Sequence, residues 1–203
     1  MAITLYYRPG AASFAPRVVL EELGEPYDLS LIERDGPRPA AFLAISPART
    51  VPALQDGEVG LSETVAVLMH LADRFRETPL GTPRDLVERA AWYRWLMYLS
   101  NTLMPTFYGA WYPERWGGGG ARAEACVRLA AIFDEIDAAL GASDHLVGDR
   151  LTMPDIVLGM LVSWCEELSL DPLPTARPNI ARAYAALQAR PSVVRVNSDE
   201  GIA

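Results

Sequence analysis

The sequence predicts a small α/β unit followed by an all-helical domain, and three observations support this. Strand-like and helix-like runs alternate before about residue 80, segment 76–83 is dense in turn residues, and nearly every periodic run after it is helical. The predicted boundaries are 1–78 for the first domain, 79–86 for a linker and 87–203 for the helical domain. A chain of 203 residues is long enough for two such domains with substantial cores.

Hydrophobic patterning and turn residues predict the elements in order. In the first domain they are Ile3–Tyr7, a helix ending near Leu23, Tyr27–Ile32, a Pro- and Arg-rich loop, Ala53–Gln55, a turn at Asp56–Gly57 and a helix over Glu63–Phe75. In the second domain they are four helices: Leu86–Met104, Ala121–Leu140, Met153–Leu168 and Asn179–Ala189. The glycine run Gly117–Gly120 is interpreted as a flexible loop, because no Lys-Ser/Thr follows it as a phosphate-binding loop requires.

Composition narrows the range of partners. Hydrophobic residues make up 50% and charged residues 22%, which argues against disorder. A net charge of −8, with no Lys at all, argues against a nucleic-acid or anionic-membrane partner and favours a small molecule. No apolar run approaches the roughly 20 residues of a membrane-spanning helix, and no signal-peptide pattern is present, so the expected location is cytoplasmic.

The cysteines and histidines give no sign of a metal or redox site. Cys126 and Cys165 lie in separate helix-like stretches without CxxC spacing or a nearby histidine, so they are interpreted as buried free thiols. His70 lies inside a predicted helix and His145 in a polar turn, and neither has an acid–base partner close in the sequence. Both histidines are therefore interpreted as structural.

Ser13 is the first candidate site residue. The first strand ends at Pro9–Gly10 and gives way to a helix, so Ser13 falls at the start of that helix. A hydroxyl in that place lies beside unpaired backbone N–H groups and the positive end of the helix dipole, a setting that favours an anion such as a thiolate. The same position also fits a simple helix N-cap.

Two further segments of the first domain suggest recognition of a peptide-like ligand. The proline of Val51–Pro52 cannot donate a hydrogen bond to a sheet, which predicts a bend with a possible cis bond and leaves the backbone of Val51 available to an extended ligand. Glu63 and Thr64, at a predicted helix start, offer a carboxylate for an ammonium group and a hydroxyl with backbone amides for a carboxylate. The alternative is that Ser62 caps the helix and Glu63 only complements its dipole.

Together these features resemble the cytosolic glutathione transferase family, over essentially the whole chain. Its most specific parts are Val51–Leu54, Ser62–Thr64 with Ala66, and Gly148–Asp155, where Thr152 would cap a helix and Asp155 would reach back to the N–H of the cap. The resemblance implies a thioredoxin-like N-terminal domain, an all-helical C-terminal domain, a homodimer, and glutathione bound mainly to the first domain. The glutathione-binding residues that it implies are Phe14, Arg49, Thr50, Val51, Pro52, Glu63 and Thr64.

Within this family, the segments Tyr7–Ala11 and Arg190–Val193 look most like bacterial beta-class members. Those proteins typically carry a cysteine where this chain has Ala12, and a histidine where it has Met104. The mixed-disulfide chemistry available to that cysteine is therefore lost here.

The position of Ser13, four residues before Arg17, resembles the serine of the delta, theta and zeta-like classes, which donates a hydrogen bond to the glutathione sulfur. The resemblance therefore implies that Ser13 stabilises the thiolate. Tyr7, at the end of the first strand, is the second catalytic candidate, although a packed aromatic residue would fit there equally well.

The second substrate is expected to be apolar. Aromatic residues crowd into the first helix of the second domain and the segment after it: Trp92, Trp95, Tyr98, Phe107, Tyr108, Trp111, Tyr112 and Trp116. Trp92 and Trp95 follow the spacing of a buried stripe. By the resemblance, a hydrophobic substrate site would be bordered by Phe107, Tyr108 and Trp111.

The function that the resemblance implies is conjugation of glutathione, as co-substrate and without a metal, to small hydrophobic electrophiles. Glutathione-dependent disulfide reduction or β-ether cleavage would use the same glutathione site. A non-catalytic glutathione-binding or regulatory protein of the same fold is the remaining alternative. The loss of the beta-class cysteine and histidine motivates this last hypothesis.

Overall fold

The computed structural model describes residues 3–118, 120–171 and 173–202. In these residues the strands are β1 (Ile3–Tyr7), β2 (Tyr27–Leu31), β3 (Ala53–Asp56) and β4 (Val59–Ser62). The α-helices, in chain order, are α1 (Phe14–Leu23), α2 (Ala40–Ile45), α3 (Thr64–Arg74), α4 (Leu86–Tyr98), α5 (Met104–Trp111), α6 (Ala121–Leu140), α7 (Met153–Glu167), α8 (Pro178–Gln188) and α9 (Pro191–Glu200).

The chain forms two compact units. The first contains the residues up to Thr82 together with those from Arg190 onward, and the second runs from Pro83 to Ala189. The sequence prediction assigned everything after residue 86 to the helical domain, and the structure differs at α9. Glu22 of α1 accepts hydrogen bonds from Arg190 Nε at 2.7 Å and Nη2 at 2.6 Å. These contacts place the last helix with the first unit.

The sheet of the first unit has the strand order β2-β1-β3-β4. β1 pairs with β2 in parallel, while β1 with β3 and β3 with β4 pair antiparallel. Tyr6 lies opposite Ala53, and Ala53 lies opposite Ser62. The chain segments that follow β1, precede β3 and follow β4 therefore meet at one end of the sheet. Apolar side chains of β1, β3, α1 and α3 form the core of this unit.

The second unit is all-helical, as predicted, but its first helix is interrupted. A π-helix at Leu99–Leu103 joins α4 to α5. Pro105 has no N–H to donate back along the helix, and a widened turn is one way to accommodate this loss. The single helix predicted over Leu86–Met104 is thus three segments that continue to Trp111.

The predicted capping box at the start of α7 is confirmed. Asp155 Oδ2 accepts a hydrogen bond from the backbone N–H of Thr152 at 2.7 Å. Asp155 Oδ1 also accepts one from the N–H of Leu146 at 2.7 Å, so the carboxylate ties the preceding loop to the helix. None of the helices that the structure describes combines the length and the apolar character needed to cross a bilayer.

Candidate active site

The end of the sheet where β1 finishes gathers the site residues predicted in the first unit. The strand register places the loop after Tyr7, the bend before Ala53 and the helix start after Ser62 side by side. The hydrogen-bond ladder of the sheet ends at these three segments. An exposed backbone next to a helix start is a suitable place to bind a polar, peptide-like ligand.

The Ser13 hydroxyl is held within its own loop. Ser13 is the N-cap residue of α1, but its side chain makes no cap hydrogen bond to the helix. Oγ instead accepts from the N–H of Arg8 at 3.1 Å and donates to the Arg8 carbonyl at 3.1 Å. Ser13 is 0% exposed, so in this conformation its hydroxyl has no surface to offer a thiolate, contrary to what the sequence prediction requires. The simple N-cap alternative does not describe it either.

Ala12, directly before Ser13, keeps a partly exposed position in the same loop. Two nearby N–H groups are used: Ala11 donates to the Arg8 carbonyl at 3.2 Å, and Phe14 donates to the Ala11 carbonyl at 2.9 Å. Within the described residues the N–H groups of Ala12 and Ser13 have no hydrogen-bond partner, and of these two residues Ala12 is the partly exposed one. The side chain of Phe14 is buried, at 6% exposure, so this residue contributes packing at the start of α1.

A buried ion pair adjoins this loop. Arg17 Nη1 donates to Glu200 Oε1 of α9 at 3.0 Å, and Nη2 donates to Asp199 Oδ2 at 2.7 Å. Glu200 Oε2 accepts the N–H of Gly10 at 3.1 Å. Burial opposes the charge of Arg17, but hydrogen bonds with Tyr27 and Glu200 outweigh it and raise the Arg17 pKa. Burial raises the pKa of the Glu200 carboxyl, against the opposing effects of Arg17 and the Gly10 amide.

Tyr7 lies beside the same cation. The Arg17 guanidinium carbon is 5.4 Å from the centroid of the Tyr7 ring, within the range of a cation–π contact. Tyr7 is only partly buried. Its role as a catalytic hydroxyl stays a prediction.

The bend before β3 has the predicted form, and the Val51–Pro52 peptide bond is cis. Among the described residues no group pairs with the N–H or the carbonyl of Val51. The preceding loop is held by Ser46, which is 0% exposed. Its Oγ donates to the Thr50 carbonyl at 2.8 Å and accepts the Thr50 N–H at 3.2 Å. Arg49 and Thr50 are exposed, and Arg49 has a φ of 61°.

Glu63, and not Ser62, is the N-cap residue of α3, so that alternative is wrong. Glu63 has φ 77° and ψ 122°, and its exposed side chain makes no cap hydrogen bond. A non-glycine residue with a positive φ costs about 1–3 kcal/mol and often marks a functional site. Thr64 follows as the first helical residue, 8% exposed. An outward carboxylate thus stands next to the unpaired amides of a helix start.

The aromatic residues predicted for the substrate site separate into buried and exposed members. Phe107 is 0% exposed and packs against Trp111 and Trp164, with ring centroids 5.3 and 5.9 Å away. Phe107 therefore belongs to the core of the second unit and presents no surface to a ligand. Tyr108 is 42% exposed and stacks on Tyr112, with centroids 6.5 Å apart.

The histidine and cysteine side chains lie away from this end of the sheet or in the second unit. His70 has a carboxylate partner that the sequence did not reveal, with Nε2 2.8 Å from Asp56 Oδ2, at the opposite end of β3. Cys165 is buried, and burial raises the pKa of its thiol. Residues 3–118, 120–171 and 173–202 contain no cluster of His, Cys, Asp and Glu that could hold a metal ion.

Sequence reasoning missed Ser46 and Glu200, whose side chains hold the loops of the site in place. Ser46 and Thr50 are four positions apart, and a Ser–x–x–x–Thr spacing between loop residues is too common to single out. Glu200 lies 190 positions from Gly10, so no local pattern could connect them. Only the packing of α9 on α1 brings this carboxylate to the loop.

Comparisons with known proteins agree on one family. The family model "Glutathione S-transferase, N-terminal domain" matches residues 12–74, and "Glutathione S-transferase, C-terminal domain" matches residues 104–191. The chain is 28% identical to glutathione S-transferase GstA of Escherichia coli O157:H7, over 98% of each chain. These matches confirm the predicted fold class.

Two solved structures are similar over nearly the whole chain. A glutathione transferase from Methylococcus capsulatus str. Bath is 32% identical, with a TM-score of 0.90 and full coverage of both chains. A sphingomonad glutathione S-transferase, solved in complex with glutathione, is 25% identical with a TM-score of 0.86, covering 98% of this chain and 100% of that one.

Proposed function

This chain belongs to the glutathione S-transferase family, and we propose that it binds glutathione at the end of the sheet where β1 finishes and activates the thiol as a thiolate, which attacks small hydrophobic electrophiles to form a carbon–sulfur bond. The observation that carries the proposal is the unpaired Val51 backbone beside the start of α3. An extended cysteinyl unit of glutathione would pair with Val51 as an added strand.

The start of α3 suits the γ-glutamyl end of glutathione, which carries an α-ammonium and an α-carboxylate. The exposed Glu63 carboxylate would bind the ammonium, and Thr64 with the first amides of α3 would bind the carboxylate. Arg49, exposed beside Thr50, would attract the glycine carboxylate at the other end of the peptide.

The thiol would then lie near the β1–α1 loop. A thiol with a pKa near 8.5 needs about 2.7 kcal/mol of differential stabilisation for a shift of two units. A hydrogen bond to an anion supplies about 1.5–3 kcal/mol and a helix N-terminus about 0.3–2. Because the Ser13 hydroxyl is engaged by Arg8, we assign the direct bond to the Ala12 N–H and give Ser13 the role of fixing this loop. A direct bond from Tyr7 or Ser13 is the alternative.

The electrophile is proposed to contact the exposed aromatic surface of Tyr108.

A homodimer is proposed in which α4 forms the interface. Leu86, Tyr93 and Met97 are 75%, 40% and 39% exposed and lie on one face of this helix. Light scattering should report a dimer for the wild type. Replacing Met97 with Glu should shift it toward monomer, whereas the same change at the exposed Val127 of α6 should not.

An ultraviolet difference titration with glutathione across pH tests the proposed function, because thiolate absorbs where thiol does not. We expect a bound-thiol pKa well below that of free glutathione, and no thiolate signal with S-methylglutathione as the blank. Saturable binding without a lowered pKa would favour the non-catalytic alternative. The absence of binding would refute the glutathione site itself.

Glu63→Gln separates recognition from activation. It removes the charge proposed for the ammonium and should weaken glutathione binding about tenfold, with the thiol pKa unchanged. Glu58→Gln is the matched control, because Glu58 is an exposed glutamate in the turn between β3 and β4, at the other end of the sheet. Equal affinities in the two variants would remove Glu63 from the site.

A further inference from the structure

We propose that Glu200, from the last helix, is a positioning residue that fixes the β1–α1 loop for thiolate stabilisation. The observation is a carboxylate that joins two donors: Oε1 accepts from Arg17 at 3.0 Å and Oε2 accepts from the backbone N–H of Gly10 at 3.1 Å. The Glu200 side chain is 0% exposed and that of Arg17 is 3% exposed. The proposal rests on the proposed function, because it assigns a task within that site.

The need to neutralise the charge of Arg17 does not by itself explain why a buried carboxylate is present at position 200. Asp199 already contacts the same guanidinium, at 2.7 Å, and keeps half of its side chain in solvent. An exposed partner avoids most of the desolvation that a buried carboxylate suffers. Of these two carboxylates, Glu200 is the one that accepts the Gly10 N–H.

The loop is therefore held at two points. The Ser13 hydroxyl closes it on Arg8 from within, and Glu200 holds Gly10 from outside. Gly10 has a φ of 67°, so the chain turns there in a left-handed conformation that glycine adopts without strain. Ala12, which carries the proposed thiolate-binding N–H, follows two residues later. A backbone donor stabilises charge only as far as its direction is fixed beforehand.

The experiment compares two variants of the full chain that each remove one acid from Arg17. Glu200→Gln leaves one oxygen for two donors; the charged Arg17 donor takes it, so the amide NH2 faces the Gly10 N–H and cannot accept it. Asp199→Asn changes the carboxylate that contacts Arg17 but not Gly10. The pKa of the bound glutathione thiol is measured by ultraviolet difference titration, and glutathione affinity by calorimetry. Amide hydrogen exchange of segment 8–13 is followed in the ligand-free proteins.

We expect Glu200→Gln to raise the bound-thiol pKa by about one unit, a roughly tenfold loss of thiolate near neutral pH, with affinity changed less than about threefold. Segment 8–13 should exchange at least about tenfold faster than in the wild type. Asp199→Asn should leave the thiol pKa and the exchange of this segment close to the wild-type values.

A wild-type thiol pKa in Glu200→Gln, with glutathione bound, would overturn the proposal. Equal effects in both variants would overturn it as well, because they would show that the charge around Arg17 matters and not the hold on Gly10. If the wild type itself shows no lowered thiol pKa, the proposed function fails. Hydrogen exchange then decides separately whether Glu200 fixes the loop.

Discussion

Loss of an ordinary helix cap costs about 1–2 kcal/mol in the free energy of unfolding. Replacing Asp155 with Ala should cost the second unit more than this. The carboxylate accepts two backbone N–H groups, from Thr152 and Leu146, each at 2.7 Å, and the Thr152 hydroxyl at 3.0 Å. Thr152 is 2% and Asp155 8% exposed, so water does not easily replace these bonds. Two charge-assisted bonds at about 1.5 kcal/mol or more each give an expected loss of about 3–4 kcal/mol.

Urea unfolding followed by tryptophan fluorescence measures this loss, because all five tryptophans lie between residues 92 and 164, in the second unit. Asp155→Asn keeps one oxygen acceptor and should lose about half as much. Asp149→Ala, at an exposed position in the same motif, should stay within about 0.5 kcal/mol of the wild type. A loss below about 1 kcal/mol for Asp155→Ala would refute the idea that this carboxylate holds the loop and the helix together.

Three further outcomes follow from the first unit. Ala12→Cys should place a partly exposed thiol in the loop, and this thiol should exchange with oxidised glutathione to give a mixed disulfide and release one reduced glutathione. Peptide mass spectrometry should locate the adduct at position 12, where the wild type has no thiol. Ser13→Ala should cost about 1–3 kcal/mol in unfolding free energy, because the N–H of Arg8 loses its acceptor, and should raise the bound-thiol pKa; an unchanged pKa would leave Tyr7 or the Ala12 N–H acting without this support. Hydrogen bonds from Arg190, against the effect of burial, lower the pKa of Glu22. A lowered carboxyl pKa contributes stability above the unfolded-state value of about 4.3 that is lost as the pH falls through the folded-state value. The stability difference between wild type and Glu22→Gln should therefore shrink on acidification from pH 6 to below 4; a constant difference would contradict the pairing.

Elements with a strong local signal could be predicted from the sequence. β1 and α6 have the bounds that periodicity and turn residues predicted, and the capping box required only the spacing of Thr152 and Asp155. The strand β4 (Val59–Ser62) was missed because it has four residues, two of them Gly60 and Ser62, which are not typical of strands. The helix α2 (Ala40–Ile45) was missed because six residues between prolines are too short to show a period.

The features of the site that follow from residue type could be predicted from the sequence. The features that follow from contacts between distant residues could not. The bend at Val51–Pro52 and the helix start at Glu63 follow from proline chemistry and helix signals. The orientation of the Ser13 hydroxyl does not, because a serine at a helix start can cap the helix, face a ligand or fold back on its own loop. In the structure the hydroxyl is buried and folds back on the Arg8 backbone. That burial depends on packing, which a local sequence pattern does not reveal.

Because Ala12 carries no reactive side chain, the proposed thiolate stabilisation depends on the backbone of this loop. A cysteine side chain brings its own chemistry, and moderate loop motion leaves that chemistry intact. A backbone N–H is a weaker and strictly directional donor, so its contribution falls as soon as the loop can turn away from the sulfur. Two separate contacts, one from Ser13 and one from Glu200, fix the direction that such a donor requires. Loss of both holds should therefore cost more thiolate than the sum of the separate losses, because either hold alone still limits the rotation of the Ala12 peptide.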